Sequence, residues 1–177
     1  MEAYQQGDRK AADQLIDSLS PALYRFFAVN ASDRRHVDDL LQEAWLRVHK
    51  ARNTYRPGEP LLPWIYAIAR YTRIDAFRRR HFERREETLA TIPEPALTPA
   101  DQRGDLPDIE DLLQSLPESQ REVIWLLKIS GLKLEEVARL TSSSVGSVKQ
   151  KAHRAYEKLR AVLADYRPIA RRKDDVQ

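Results

Sequence analysis

The chain has no cysteine among its 177 residues, which excludes disulfides and thiolate metal sites. That absence fits a reducing compartment. Glycine is scarce, at five residues, and no glycine-rich phosphate loop appears. No apolar run approaches membrane-spanning length, and Met1-Glu2-Ala3-Tyr4 lacks the basic-then-apolar start of a secretory signal. His36, His49, His81 and His153 show no metal-ligand spacing with acids, and no nucleophile motif is present. These absences point away from an enzyme. The expectation is a soluble, cytoplasmic protein with no cofactor, no metal and no small-molecule substrate.

What is present is helical patterning and segregated charge. Hydrophobic residues make up 42% and charged residues 32%, a balance that suits compact helical domains. The net charge of +3 is modest, but its distribution is not. Between Arg70 and Arg85 seven arginines stand against Asp75 and Glu83. Between Glu86 and Asp111 eight acids stand against Arg103 alone. A polyanion-binding surface beside a self-avoiding linker is the reading this supports.

Apolar residues recur at three- and four-residue spacing, and no sustained strand alternation occurs. A first helix is expected from about Asp8, with Leu15, Leu19, Leu23 and Phe26 buried and Pro21 kinking or dividing it. Ser32 is placed to cap a second helix running to about Lys50. Pro57, Gly58, Pro60 and Pro63 then break the chain before Trp64 opens a third. Pro93, Pro95, Pro99 and Pro107 mark an extended linker with a reach of roughly 60–70 Å. Short helices near Ile109–Leu116 and from Pro117 to Ser130 precede a helix-turn-helix. The expected fold is all-α, with two small helical domains on a string. Residues 1–85 and 108–165 form the domains, 86–107 the Pro-rich acidic linker and 166–177 a tail.

Three faces carry candidate chemistry. On the second helix Val37, Leu40, Leu41, Ala44 and Val48 form a core stripe, while Asp39, Gln42, Glu43 and Leu46 face outward. A leucine framed by acids and an amide suits a docking spot, and an ordinary solvated face is the alternative. On the third helix Ile65, Ile68, Ala69, Thr72 and Ala76 face the core. Tyr66, Arg70, Arg73, Phe77, Arg80 and Arg84 align along another flank. Rings interleaved with guanidiniums suit single-stranded DNA, because rings stack on bases while arginine neutralises phosphate. The loop from Asn53 to Glu59, with Tyr55 and Arg56, is placed to receive an extruded base. Trp64 and Tyr71 lie on a further flank, as core or as a wedge.

In the helix-turn-helix Leu134, Val137 and Ala138 face inward, Thr141-Ser142-Ser143-Ser144 forms the turn, and Ser144 caps the second helix. Val148, Ala152, Tyr156, Leu159 and Leu163 are expected to pack inward there. Gly146, Lys149, Gln150 and His153 then face outward, where Lys149 suits guanine and Gln150 adenine. Ser147, Lys151 and Arg154 flank them and suit phosphate.

In this order the motifs resemble bacterial sigma factors of the extracytoplasmic-function (ECF) group. Val37-Asp38-Asp39-Leu40-Leu41-Gln42-Glu43-Ala44-Trp45 is similar to that family's region 2.2. Pro63-Trp64-Ile65-Tyr66-Ala67-Ile68-Ala69-Arg70 resembles its helix beside the promoter −10 element. Leu116-Pro117-Glu118-Ser119-Gln120-Arg121-Glu122-Val123 and the helix-turn-helix resemble region 4.

The resemblance implies a region 2 bundle, a region 4 helix-turn-helix, and promoter-specific initiation as a subunit of RNA polymerase. Asp39, Gln42, Glu43 and Leu46 would dock on the β′ clamp coiled coil, with the β flap as a second polymerase contact. Tyr55, Arg56, Trp64, Tyr66, Arg70, Tyr71, Arg73, Phe77 and Arg80 would serve the −10 strand. Ser147, Lys149, Gln150, Lys151, His153 and Arg154 would serve the −35 duplex.

Housekeeping relatives carry further domains that this chain does not show. The short form implies control by an anti-sigma factor, held at the inner membrane, in a stress or envelope response. Departures from the family pattern fall at Tyr71, Lys133 and Gly146-Ser147, where asparagine, a hydroxyl cap and Gly-Thr are usual. Two other classes compete: a mimic that sequesters an anti-sigma factor, and an autonomous helix-turn-helix regulator. A mimic has no need of the arginine stripe or of Lys149, Lys151 and Arg154.

Overall fold

A computed structural model describes residues 1–31, 34–87 and 109–165, and among these no strand occurs. The expected cap at Ser32 and most of the expected linker and tail lie outside the described residues. The elements are α1 (Glu2–Gln5), α2 (Arg9–Asn30), α3 (Val37–Ala51), α4 (Leu61–Glu87), α5 (Ile109–Gln114), α6 (Glu118–Ile124), α7 (Leu134–Leu140) and α8 (Val145–Asp165). None of the described helices is long and apolar enough to cross a membrane.

Asp8 caps α2, its carboxylate accepting from the backbone N–H groups of Lys10 and Ala11 at 2.8 and 3.3 Å. Pro21 lies within α2 without dividing it. A 3-10 turn over Arg34–His36 leads into α3, whose Val37, Leu40, Ala44 and Val48 are buried as their spacing predicts. α4 starts at Leu61, ahead of the expected Trp64. Pro63 does not prevent this, because first-turn N–H groups have no intrahelical partner to lose.

α6 widens into a π turn over Trp125–Ile129. Gly131, at φ +69°, takes a left-handed turn there, and the Leu132 N–H reaches back to the Leu126 carbonyl at 2.9 Å. That turn ends the π segment and leads into α7, the first helix of the helix-turn-helix.

The two helical groups share one buried cluster. Phe26 of α2 lies edge-on to Tyr66 of α4 at 5.4 Å and has Trp125 at 6.3 Å. Around them Phe27, Leu23, Ile65, Leu113, Leu116 and Leu126 are fully buried. Large aromatics bury 150–250 Å² apiece, so this contact weighs heavily in the fold. The two helical domains are present as expected; whether they stand apart or close on one another was open from the sequence, and here α2 packs on α5 and α6, and α4 on α7.

Candidate nucleic-acid and partner interfaces

On α3, Asp39, Gln42 and Leu46 are exposed together, Leu46 at 55%. Glu43 is half-buried and differently employed. Its carboxylate accepts from Arg47 Nε at 2.7 Å, and Arg47 Nη2 donates to Asp75 of α4 at 2.5 Å. The same guanidinium lies 5.1 Å from the ring of Tyr71. Burial pulls the Arg47 pKa down, yet hydrogen bonds to Asp75 and Glu43 hold it above its ordinary value. The Arg47 hydrogen bond holds the Asp75 carboxyl below the usual carboxylate value. Glu43 therefore steadies the Arg47 guanidinium that joins α3 to α4, and Asp39, Gln42 and Leu46 are left as the outward face.

An apolar groove of about 660 Å³ adjoins that face, with Ile16, Trp45, Leu46 and His49 in its walls. Trp45 Nε1 donates to Ser20 Oγ at 3.0 Å, fixing α3 on α2.

The arginine flank of α4 is only partly a free surface. Tyr66 is 3% exposed and belongs to the core, which corrects its expected place on the nucleic-acid flank. Arg73 is 7% exposed and donates to Glu118 and Glu122 of α6, the latter at 2.9 Å. Arg70 Nε lies 3.2 Å from the same Glu122 carboxylate. The physical reason is the closed packing: α6 covers the N-terminal part of the stripe. Arg80 is half-buried, while Tyr71 and Phe77 remain exposed at 62% and 54%. The side chain of Arg84 is outside the described residues.

In the loop before α4, Tyr55 is buried rather than presented. Its hydroxyl donates to the Glu59 carbonyl at 2.6 Å, and its ring meets Trp64 edge-on at 5.6 Å. Trp64 is half-buried, its indole N–H reaching Thr54 Oγ1 at 3.3 Å. Arg56 is exposed at the loop's edge. Tyr55 and Trp64 thus form the wall that shapes the loop.

On α8 the expected cap and most of the outward side chains lie where the spacing put them, while two of the inward ones do not. Ser144 Oγ accepts from the Ser147 N–H at 3.1 Å, the cap that starts α8. Lys149, Gln150, His153 and Arg154 are exposed, and Ser147 and Lys151 half-buried. Lys151 Nζ donates to Ser143 Oγ at 3.3 Å, which ties the helix to its own turn. At Lys133 the missing hydroxyl cap is offset by Glu136, whose carboxylate accepts from the Lys133 N–H at 2.7 Å. Tyr156 and Leu163 are exposed, against expectation, and Ala155 is buried instead. α8 is still packed at the level of Ala155, so Tyr156 is exposed because the buried stripe runs through Val148 and Ala155 and leaves Tyr156 at its edge.

The chain matches Sigma-70 region 2 over residues 15–83 and Sigma-70, region 4 over residues 106–159. It is 32% identical over 167 residues to RNA polymerase sigma factor CarQ of Myxococcus xanthus, covering 93% of this chain and 96% of that protein. With ECF RNA polymerase sigma factor EcfG of Rhodopseudomonas palustris it shares 32% identity over 159 residues, 85% of this chain and 86% of the relative. The chain belongs to the ECF group of sigma factors. Among solved structures, this sigma factor is similar to RpoE from Bartonella quintana in complex with the anti-sigma factor NepR. The identity is 27%, the coverage 89% of this chain and 99% of that one, and the TM-score 0.72. It is also similar to CnrH in complex with the cytosolic domain of CnrY, with 25% identity, coverage of 90% and 92%, and a TM-score of 0.63.

Sequence reasoning missed several residues that shape these faces. Gln5 of α1 donates through Nε2 to the Arg52 and Tyr55 carbonyls at 2.7 and 2.9 Å, anchoring the loop before α4. Tyr4 hydrogen-bonds His49 Nδ1 at 2.8 Å, and burial raises its pKa while Arg52 opposes the shift. α1 has only four residues, too few to show a helical period. Glu118, Glu122 and the Arg47–Asp75 pair were equally hidden, because their partners lie far away in sequence. In this sigma factor the signal was present as charge but not as pairing.

Proposed function

We propose that this chain directs promoter-specific initiation by docking on core RNA polymerase through Asp39, Gln42 and Leu46 while holding two promoter elements. The coexistence of two separate nucleic-acid faces on one sigma-family chain carries this reading. The N-terminal turns of α8 present Lys149, Gln150 and His153 to the −35 duplex, with Ser147, Lys151 and Arg154 toward phosphate. The exposed part of α4 and its loop present Arg56, Tyr71 and Phe77 to unstacked −10 bases, with the half-buried Trp64 and Arg80 beside them. Arg70 and Arg73, both against Glu122, join them only when α6 moves away. Tyr55 supports the loop's shape. Bivalent holding gives affinity that neither face has alone.

In this reading the β′ clamp coiled coil receives α3, the β flap receives the C-terminal half, and the chemistry of synthesis belongs to the polymerase. An anti-sigma factor is the regulatory partner, consistent with the anti-sigma complexes of the similar RpoE and CnrH. The sigma factor itself works in the cytoplasm, and a membrane-held anti-sigma factor would retain it at the inner membrane. The test is transcription of host genomic DNA by core polymerase with and without the purified chain, followed by start-site mapping. New, discrete starts are expected. An unchanged start-site map overturns the proposal.

A further inference from the structure

The loop before α4 presents Asn53, Thr54 and Arg56 at its surface, while its backbone is gripped from beneath by the N-terminal helix α1. The half-buried Gln5 donates through Nε2 to two carbonyls, that of Arg52 at 2.7 Å and that of Tyr55 at 2.9 Å. Those carbonyls bracket the 3-10 turn of Arg52–Thr54, one at its start and the other just past its end. A primary amide carries two N–H hydrogens, so one side chain serves both acceptors. We propose that Gln5 is a positioning residue for base selection, fixing the path of this loop so that its rim meets an extruded −10 base in a single geometry. The proposal rests on the promoter-binding reading above and adds to that site a residue that acts on the base only through the loop.

The support for Gln5 is itself fixed. α1 has four residues, far below the roughly 12–15 that an isolated helix needs, so contacts with the rest of the chain set its place. Tyr4 is buried with its hydroxyl 2.8 Å from His49 Nδ1, and Met1 packs against the core. His49 belongs to α3, and its carbonyl accepts from Arg52 Nη1 at 2.6 Å. Gln5 thus joins the loop to the body of the first domain.

The loop's other bonds run between near neighbours and give it an internal shape. The Tyr55 hydroxyl donates to the Glu59 carbonyl, and Thr54 Oγ1 donates to the Ala51 carbonyl at 2.7 Å while accepting from the Trp64 indole at 3.3 Å. Gly58, at φ +85°, makes the turn at the loop's tip. The Gln5 bonds are of another kind, because they tie that shaped loop to a segment 47 and 50 residues away. Without the amide, the two carbonyls must turn toward water, and the loop moves with them. Selective contact with a base requires placement to within about 0.5 Å, so a small shift of Asn53 and Arg56 blurs the choice of base before it abolishes binding.

Two variants of the full chain test this. Gln5→Met keeps the side chain's length and packing but removes both donors, and Gln5→Glu keeps its shape but sets a carboxylate against two carbonyls. Hydrogen exchange of the backbone amides between Asn53 and Leu61 is expected to quicken about tenfold in each, the weight of roughly one lost hydrogen bond, while α8 exchanges as in the parent. Unchanged exchange of these amides in Gln5→Met overturns the proposal. In a second measurement, core polymerase with each chain transcribes a mapped promoter carrying every base in turn at each −10 and −35 position. The variants are expected to lose about tenfold of the preference for one base at a −10 position and to keep the parent's −35 preferences. An equal fall in output on every promoter overturns base positioning in favour of plain destabilisation. Start-site mapping with the parent chain is read separately: its failure overturns the initiation reading, and the exchange measurement decides the hold of Gln5 on the loop independently.

Discussion

Trp125 lies 6.3 Å from Phe26, ring centre to ring centre, and the two residues belong to opposite halves of the chain. Both are essentially inaccessible, at 1% and 0% exposure. Phe26 also touches Phe27 and Tyr66, so one ring joins the packing of α2, α4 and α6. The apolar contact explains why the halves meet. The charged contacts beside it explain in which register they meet.

Phe26→Ala should destabilise the chain by about 3–5 kcal/mol, the range for truncating a fully buried phenylalanine. Urea unfolding followed by circular dichroism checks this. A loss under about 0.5 kcal/mol, the range of an ordinary surface change, would mean that Phe26 is not buried in this core in solution.

The Arg47–Asp75 pair sets a pH dependence. Its hydrogen bond depresses the Asp75 pKa, so the folded state binds a proton less readily than the unfolded one. The contribution is complete above the ordinary aspartate value of about 3.9 and fades as pH falls through the lower, folded value. Asp75→Asn should therefore lower the urea midpoint at neutral pH and converge with the parent in acid. Parallel curves across the whole range would remove the pair from the account.

Ser142 adopts φ +50° in the turn before α8, a left-handed conformation that disfavours a side chain by about 1–2 kcal/mol. Glycine relieves that cost but loses about 0.5–1 kcal/mol of chain entropy. Ser142→Gly is expected to stabilise by about 0.5 kcal/mol. Ser144→Ala, which removes the α8 cap, should cost about 1 kcal/mol. Thermal unfolding of both variants orders them, and the reverse order would show the turn to be differently built.

Lys149→Ala and Gln150→Ala should each cost about 1–3 kcal/mol at a matching −35 base pair, without altering polymerase affinity. Footprinting of holoenzyme on a mapped promoter reads this out. Equal losses on every sequence would place these side chains on phosphates instead.

Asp39→Ala combined with Leu46→Ala should weaken capture of core polymerase by about tenfold or more, roughly 1.4 kcal/mol. Glu43→Ala alone should act mainly through stability, since its carboxylate is committed to Arg47 at 2.7 Å. Pull-down titrations beside unfolding curves separate the two effects. A Glu43 variant of full stability that loses polymerase would return that carboxylate to the docking face.

Much of the fold was legible in local chemistry. The absence of strand alternation, the helix start near Asp8, the Ser144 cap and the apolar stripe of α3 all act within a few residues. The structure carries each of them. The outward face of α8 was legible for the same reason, because an N-cap fixes the phase of the helix that follows. Ala155, Tyr156 and Leu163 show where that reasoning ends, since which edge of an apolar stripe is covered depends on the side from which the neighbouring helices arrive.

The amino-acid order alone thus determined the helical class, the Ser144 cap, the sigma-like sequence of motifs and the positive stripe on α4. Only the tertiary structure decided what that stripe touches. Helical periodicity gives each side chain an angle around its own axis, but it carries no information about which distant element covers that angle. Tyr66 became core and Arg73 became half of an internal ion pair because α2 and α6 arrive there from elsewhere in the chain.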